Sequence, residues 1–171
     1  HEPGGRAEAF GTIAMDKYAE DNVGYNFSVV RACDRANIPL TFHVLIGGDI
    51  NHQHPNCRRS MFAMLYNDFL SLAHTVSLMD GGGVYVNIGS QVTGTEVFLK
   101  ALSMARNAAH GADGPPLHDI VTGMLDFVKL PEAWRTAEAA DTDPAYYYRP
   151  RNTPLLRTVA DGGSSFYLHG D

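Results

Sequence analysis

Two short runs of the chain concentrate residue types that can do chemistry. The first is Gly47-Gly48-Asp49-Ile50-Asn51-His52-Gln53-His54-Pro55. Its His-x-His spacing sets both imidazoles on one side of an extended segment, and Asp49 adds a carboxylate, so Asp49, His52 and His54 are candidate ligands for a divalent metal. His43, a little upstream, is a further metal ligand or simply a hydrogen-bonded core residue. Without a metal, Asp49 and His52 are the candidate catalytic acid and base. The second run is Asn87-Ile88-Gly89-Ser90-Gln91-Val92-Thr93. Glycine lets backbone amides approach a ligand, and a helix starting near Thr93 points its positive end into the same space. Gly47, Gly48, Asn87, Gly89, Ser90 and Thr93 are therefore candidate contacts for the phosphate or carboxylate of a cofactor. The plainer alternative is that the glycines serve turn geometry and Thr93 is only a cap.

Other constellations carry less. Ser90 has Ile88 and Val92 where a nucleophile elbow needs glycines, and Gly81-Gly82-Gly83 precedes a strand instead of following one. Arg149, Arg151 and Arg157 beside Tyr146–Tyr148 could clamp an anion or line a subunit interface, with a solvated loop as the plainer reading.

Composition narrows the classes. The 171 residues suit one domain with a real core, and 44% hydrophobic with 19% charged residues is a globular balance. A net charge of -6 without a basic run argues against nucleic acid as a partner. Two distant cysteines, Cys33 and Cys57, imply reduced thiols and a cytoplasmic setting. No apolar stretch has the length of a membrane span, so no membrane partner is expected. The start at His1-Glu2-Pro3 without Met suggests the C-terminal part of a longer protein.

The elements that must position these residues follow from periodicity. Helices are expected over Ala7–Glu20, Asn26–Arg35, Ser60–Leu78 and Thr93–Ala109, the last opened by a Thr93/Glu96 capping box. Strands are expected at Leu40–Ile46, as a buried parallel strand, and at Val84–Ile88 and Ser164–Leu168. Asp119–Leu130 suits a helix or a helix running into a strand, and residues 131–145 read as an acidic surface loop. Alternating helices and strands with short connections make residues 1–171 a single α/β domain with a Rossmann-like parallel sheet covered by helices. In such sheets ligands gather at the carboxyl ends of the strands, where both candidate runs then fall.

From Asn26 to Asn87 the order of landmarks resembles deoxyhypusine synthase: the Ser28-Val29 pair, Ile38-Pro39-Leu40, the Gly47–Ile50 loop, a long helix and Gly81-Gly82-Gly83-Val84. Strings such as Ile46–Pro55 and Glu96–Leu102 are similar to an uncharacterised bacterial group related to that family. The resemblance implies a Rossmann-like homo-oligomer binding NAD and a transferase moving an aminobutyl group from an amine. It also implies a catalytic lysine two residues after Val84, where this chain has Val86, and the family's NAD-holding acidic run has no match beyond Asp161–Ser165. An imine-transfer step needs an amine nucleophile. The expectation is thus a divergent protein binding NAD or a similar nucleotide at strand-end loops. The alternatives are a metal-assisted enzyme built on Asp49, His52 and His54, or a non-catalytic binding or assembly module.

Overall fold

The computed structural model describes residues 27–55, 57, 59–111, 117–135, 137–144 and 146–170. The helix expected over Ala7–Glu20 and the start of the next at Asn26 lie outside these residues. The chain divides into two compact units, His1–Leu72 and Ala73–Asp171.

In the first unit, helix α1 spans Val29–Arg35. Ser28 caps it by accepting a hydrogen bond from the Arg31 amide, which satisfies one of the donors that a helix start leaves open. Asn37, at φ 52, turns the chain out of the helix, and the Ile38 amide closes the end on the Cys33 carbonyl. Helix α2, Arg59–Ser77, begins in this unit and matches the Ser60–Leu78 expectation to one residue at each end.

The segment between them departs from expectation. Leu40–Ile46 is not a strand: residues 40–45 carry no ladder, Ile46 enters a turn, and Leu45 and Ile46 are 71% and 73% exposed. The Phe42 amide, which would serve a ladder in a strand, donates instead to the Asp68 carboxylate of α2 at 3.0 Å. Gly47 and Gly48 therefore form a turn that does not follow a strand, with Gly47 at φ 83, a conformation natural to glycine.

The second unit is an α/β layer, consistent with a Rossmann-like arrangement. Strand β1 (Gly83–Ile88), helix α3 (Thr93–Gly111), strand β2 (Ile120–Asp126), helix α4 (Arg149–Ala160) and strand β3 (Ser164–His169) follow in order. The three strands pair in parallel with β2 central. Segment 119–130 thus resolves as a strand from Ile120, and Ser164–Leu168 is a strand as expected, extended by His169. Helix α3 opens differently from the capping box. The Glu96 amide donates to the Val92 carbonyl, the Glu96 carboxylate pairs with Lys100, and the Ser90 hydroxyl accepts from the Gly94 amide.

Register sorts the side chains into two faces, because neighbours in a parallel ladder point the same way. Tyr85, Thr122 and Ser165 share one face, as do Asn87, Met124 and Tyr167. Both helices pack on this face. Tyr85 stacks on buried Phe98 of α3 at 3.7 Å between ring centres, and the Thr122 hydroxyl donates to Thr158 of α4 at 2.9 Å. Burying a side chain like Phe98 stabilises by about 1.5–3 kcal/mol, and Met124, Ile120 and Leu102 extend the same core. The opposite face carries Val84, Val86, Ile88 and Leu168, and remains exposed, with Val84 at 59% and Ile88 at 72%.

Two loop expectations are corrected here. Residues 131–145 are not simply a surface loop: Glu132–Arg135 forms a short 3-10 turn that buries Trp134, and Ala139 is buried as well. Tyr146–Arg157 is not a solvated loop. Tyr146–Tyr148 is a 3-10 turn that runs into α4, whose Arg151 is among the most deeply buried side chains. Pro150 in the first turn suits a helix start, where the missing amide has no intrahelical partner to lose.

Candidate functional site

The Asp49–His54 run folds as a turn followed by a 3-10 helix, Ile50–Gln53. That geometry replaces the extended segment on which the His-x-His reading depended. His52 closes the turn: its Nδ1 accepts from the Gly47 amide at 2.8 Å, its own amide donates to the Asp49 carbonyl, and its ring leans on Phe62. One ring nitrogen is thereby used to hold the loop. Among the described residues no group of three or more His, Cys, Asp or Glu side chains is arranged to hold a metal. His43 shares a hydrogen bond with the Thr41 hydroxyl, and burial lowers its pKa against the opposing pull of Asp68. His43 is thus hydrogen-bonded but only half-buried, and it lies in an irregular segment, not in a core strand.

The Asn87–Thr93 run does lie at the carboxyl end of β1 and leads into α3. Its polar groups, however, largely satisfy one another. Buried Asn87 donates from Nδ2 to the Ser90 carbonyl at 2.8 Å, and Ser90 Oγ caps Gly94 at 2.7 Å. Gly89, at φ 69, donates its amide to the Leu125 carbonyl of β2. Thr95 donates to the Val92 carbonyl, and the Tyr85 hydroxyl donates to the Gly94 carbonyl at 3.1 Å. A loop closed in this way positions β1 and α3 first, and the Gly89, Gly94 and Glu96 amides already have protein acceptors. Thr93 stands exposed at the first position of α3.

Tyr85 allows this closure to be tested. Burial pushes its phenol up to about 12 from 10.0. A raised pKa in the folded state means the neutral form is favoured by folding, so that contribution is complete below 10 and is lost as pH rises from 10 towards 12. Tyr85→Phe is expected to remove this alkaline component, along with about 0.5–1.5 kcal/mol for the hydrogen bond to Gly94. Urea unfolding of both proteins at neutral and alkaline pH measures it. Equal alkaline losses in the two proteins would contradict the assignment.

The more open chemistry lies at the carboxyl ends of β2 and β3. Asp126 and His169 end their strands side by side in register. A cavity of about 460 Å³ runs along the outer strand β3, between the segment after β2, the Trp134 turn and α4. Lys129, Asn152, Ser165, Tyr167 and His169 bring its polar groups, while Leu130, Trp134, Leu155 and Val159 supply apolar walls. The walls are held from outside. Asn152 donates from Nδ2 to the Trp134 carbonyl, the Tyr167 hydroxyl donates to the Val128 carbonyl, and His169 Nε2 hydrogen-bonds the Phe127 carbonyl at 2.9 Å. Burial, with Asp126 next, raises the Tyr167 pKa against a smaller lowering by Arg151, so the phenol stays a neutral donor.

Arg151 and Asp126 form the buried electrostatic centre of this end. Their side chains are 1% and 8% exposed, with Nε 3.2 Å from the carboxylate. The guanidinium lies over the Tyr148 ring at 4.6 Å, and its two terminal nitrogens have no hydrogen-bond partner among the described residues. Asp126 Oδ1 also accepts from the Phe127 and Val128 amides. The expected anion clamp thus separates: Arg151 is internal, while Arg149 packs over Tyr146 at the surface.

Lys129, Trp134, Asn152 and His169, which line the cavity, lie outside the glycine-rich loops expected from the sequence. The available signal was positional, since the residue following a parallel strand is a candidate whatever its loop composition. The chain matches no family model, no curated protein and no solved structure.

Proposed function

We propose that the protein binds a small organic ligand in the cavity along β3, at the edge of the sheet in the Ala73–Asp171 unit. The observation that supports this is the cavity itself. Its 460 Å³ lies within the range of about 300–1,000 Å³ of small-molecule sites, and it pairs apolar walls with a few convergent polar groups. It lies along the edge strand β3 and reaches the carboxyl end of that strand at His169, the end at which such sheets take ligands. NAD, implied by the resemblance to deoxyhypusine synthase, is the first ligand to try. Transfer chemistry of that family's kind would need an amine in place of the one Val86 lacks.

Thermal unfolding of the full chain with and without NAD, and with divalent metal or chelator, tests the reading. A ligand at one hundred times its dissociation constant stabilises by about 2.7 kcal/mol, a plain shift of the midpoint. Trp134, the single tryptophan, lies in the cavity wall and reports this unit by its fluorescence. A shift with NAD supports the nucleotide reading. A response to metal alone, reversed by chelator, moves the proposal to Asp49, His52 and His54, and no response to either removes NAD and metal together.

A further inference from the structure

The cavity has a sign as well as a shape. Among the described residues none of those lining it is acidic, and the one permanent cation there, Lys129, has no carboxylate partner. Asp126 is near enough to act on Tyr167, but it is paired with buried Arg151 and accepts two backbone amides. Among the described residues, an anion entering the cavity therefore meets the Lys129 ammonium and no uncompensated carboxylate. Opposite that charge the walls are aromatic and branched: Trp134 is almost wholly buried, with Leu155 and Val159 of α4 lining the same space. A ligand of one chemical kind satisfies both halves.

We infer that the cavity takes an aromatic organic anion, with its carboxylate or phosphate on Lys129 and its ring among Trp134, Leu155 and Val159. The assignment rests on the reading that this cavity is a binding site, and it names the class of ligand. Lys129 reaches the anion as a point charge on a flexible stem, so charge rather than oxyanion geometry governs selection. A charge-assisted contact of this kind favours the anion over its neutral twin by about tenfold or more.

Calorimetric titration of the full chain with two matched pairs tests this: phenylacetate with phenylacetamide, and AMP with adenosine. The expected result is that at least one anion binds about tenfold or more tightly than its neutral twin, and the pair that responds identifies carboxylate or phosphate. Lys129→Met should abolish the preference and Lys129→Arg should keep it. Val159→Trp fills the cavity from a residue 49% exposed, so the fold can accept it, and it should weaken every probe. Equal affinity for anion and neutral twin, or a preference that survives Lys129→Met, overturns the charge assignment; the cavity stays a binding site if Val159→Trp still removes binding. Binding unaffected by Val159→Trp, or no binding by any probe, overturns both.

Discussion

Asp126→Ala is expected to destabilise the Ala73–Asp171 unit by about 3–5 kcal/mol, because removing one partner of a buried ion pair strands the other charge. Arg151 has nowhere to take its charge. It is 1% exposed, its terminal nitrogens lack hydrogen-bond partners among the described residues, and the Tyr148 ring offers only a cation–π contact. The same substitution frees the Phe127 and Val128 amides at the end of β2. Against a total stability of about 5–15 kcal/mol for an ordinary domain, this is a large share. Arg151→Met should cost less, since it removes the buried charge and leaves Asp126 with two amide donors. The double variant should be more stable than Asp126→Ala alone, as partners in one pair are not additive. Urea unfolding followed by Trp134 fluorescence measures all three. A loss under about 1 kcal/mol for Asp126→Ala, typical of a solvated pair, would show that the pair is not buried in solution.

The contrast between what could be read and what could not is physical. Strand β1 and helix α3 were legible because Gly83–Ile88 and Val97–Ala105 carry their periodicity locally. Leu40–Ile46 carries an equally good local pattern and is no strand, since a ladder needs a partner backbone that no window of sequence contains. Helix α4 was hidden by Pro150 and Pro154, which read as breakers although the first fits the opening turn. The Arg151–Asp126 pair was invisible for a different reason. Its members are 25 residues apart, one in a basic aromatic stretch and the other at a strand end, and each alone looks like surface. Glycine marks both turns and ligand approach, so the two roles of a glycine loop look alike in sequence. In the structure, Gly89 and Ser90 are engaged in the turn, and the open space lies two strands away.

Gly163→Ala is expected to destabilise the Ala73–Asp171 unit by about 1–3 kcal/mol, towards the upper end of that overpacking range. A Cβ there would stand 2.4 Å from the Ile120 carbonyl oxygen and 2.8 Å from a methyl of Thr158. Ile120 begins the central strand and is buried, and Thr158 is fixed by Thr122 and the Pro154 carbonyl. Neither can yield without moving β2 or α4, and the Gly163 amide is itself tied to the Thr158 carbonyl at 2.9 Å. Gly123 gives the opposite lesson. Its Cβ would come closer still, 2.1 Å, but to the far end of the Phe166 ring on the exposed face, which can swing away. Gly123→Ala should therefore cost less than Gly163→Ala despite the shorter contact, and less again in a Phe166→Ala background. The decisive comparison is the ranking of the two single variants in urea. If Gly123→Ala proves the more damaging, the Phe166 ring is held as firmly as backbone, and the exposed face of the sheet is covered in solution.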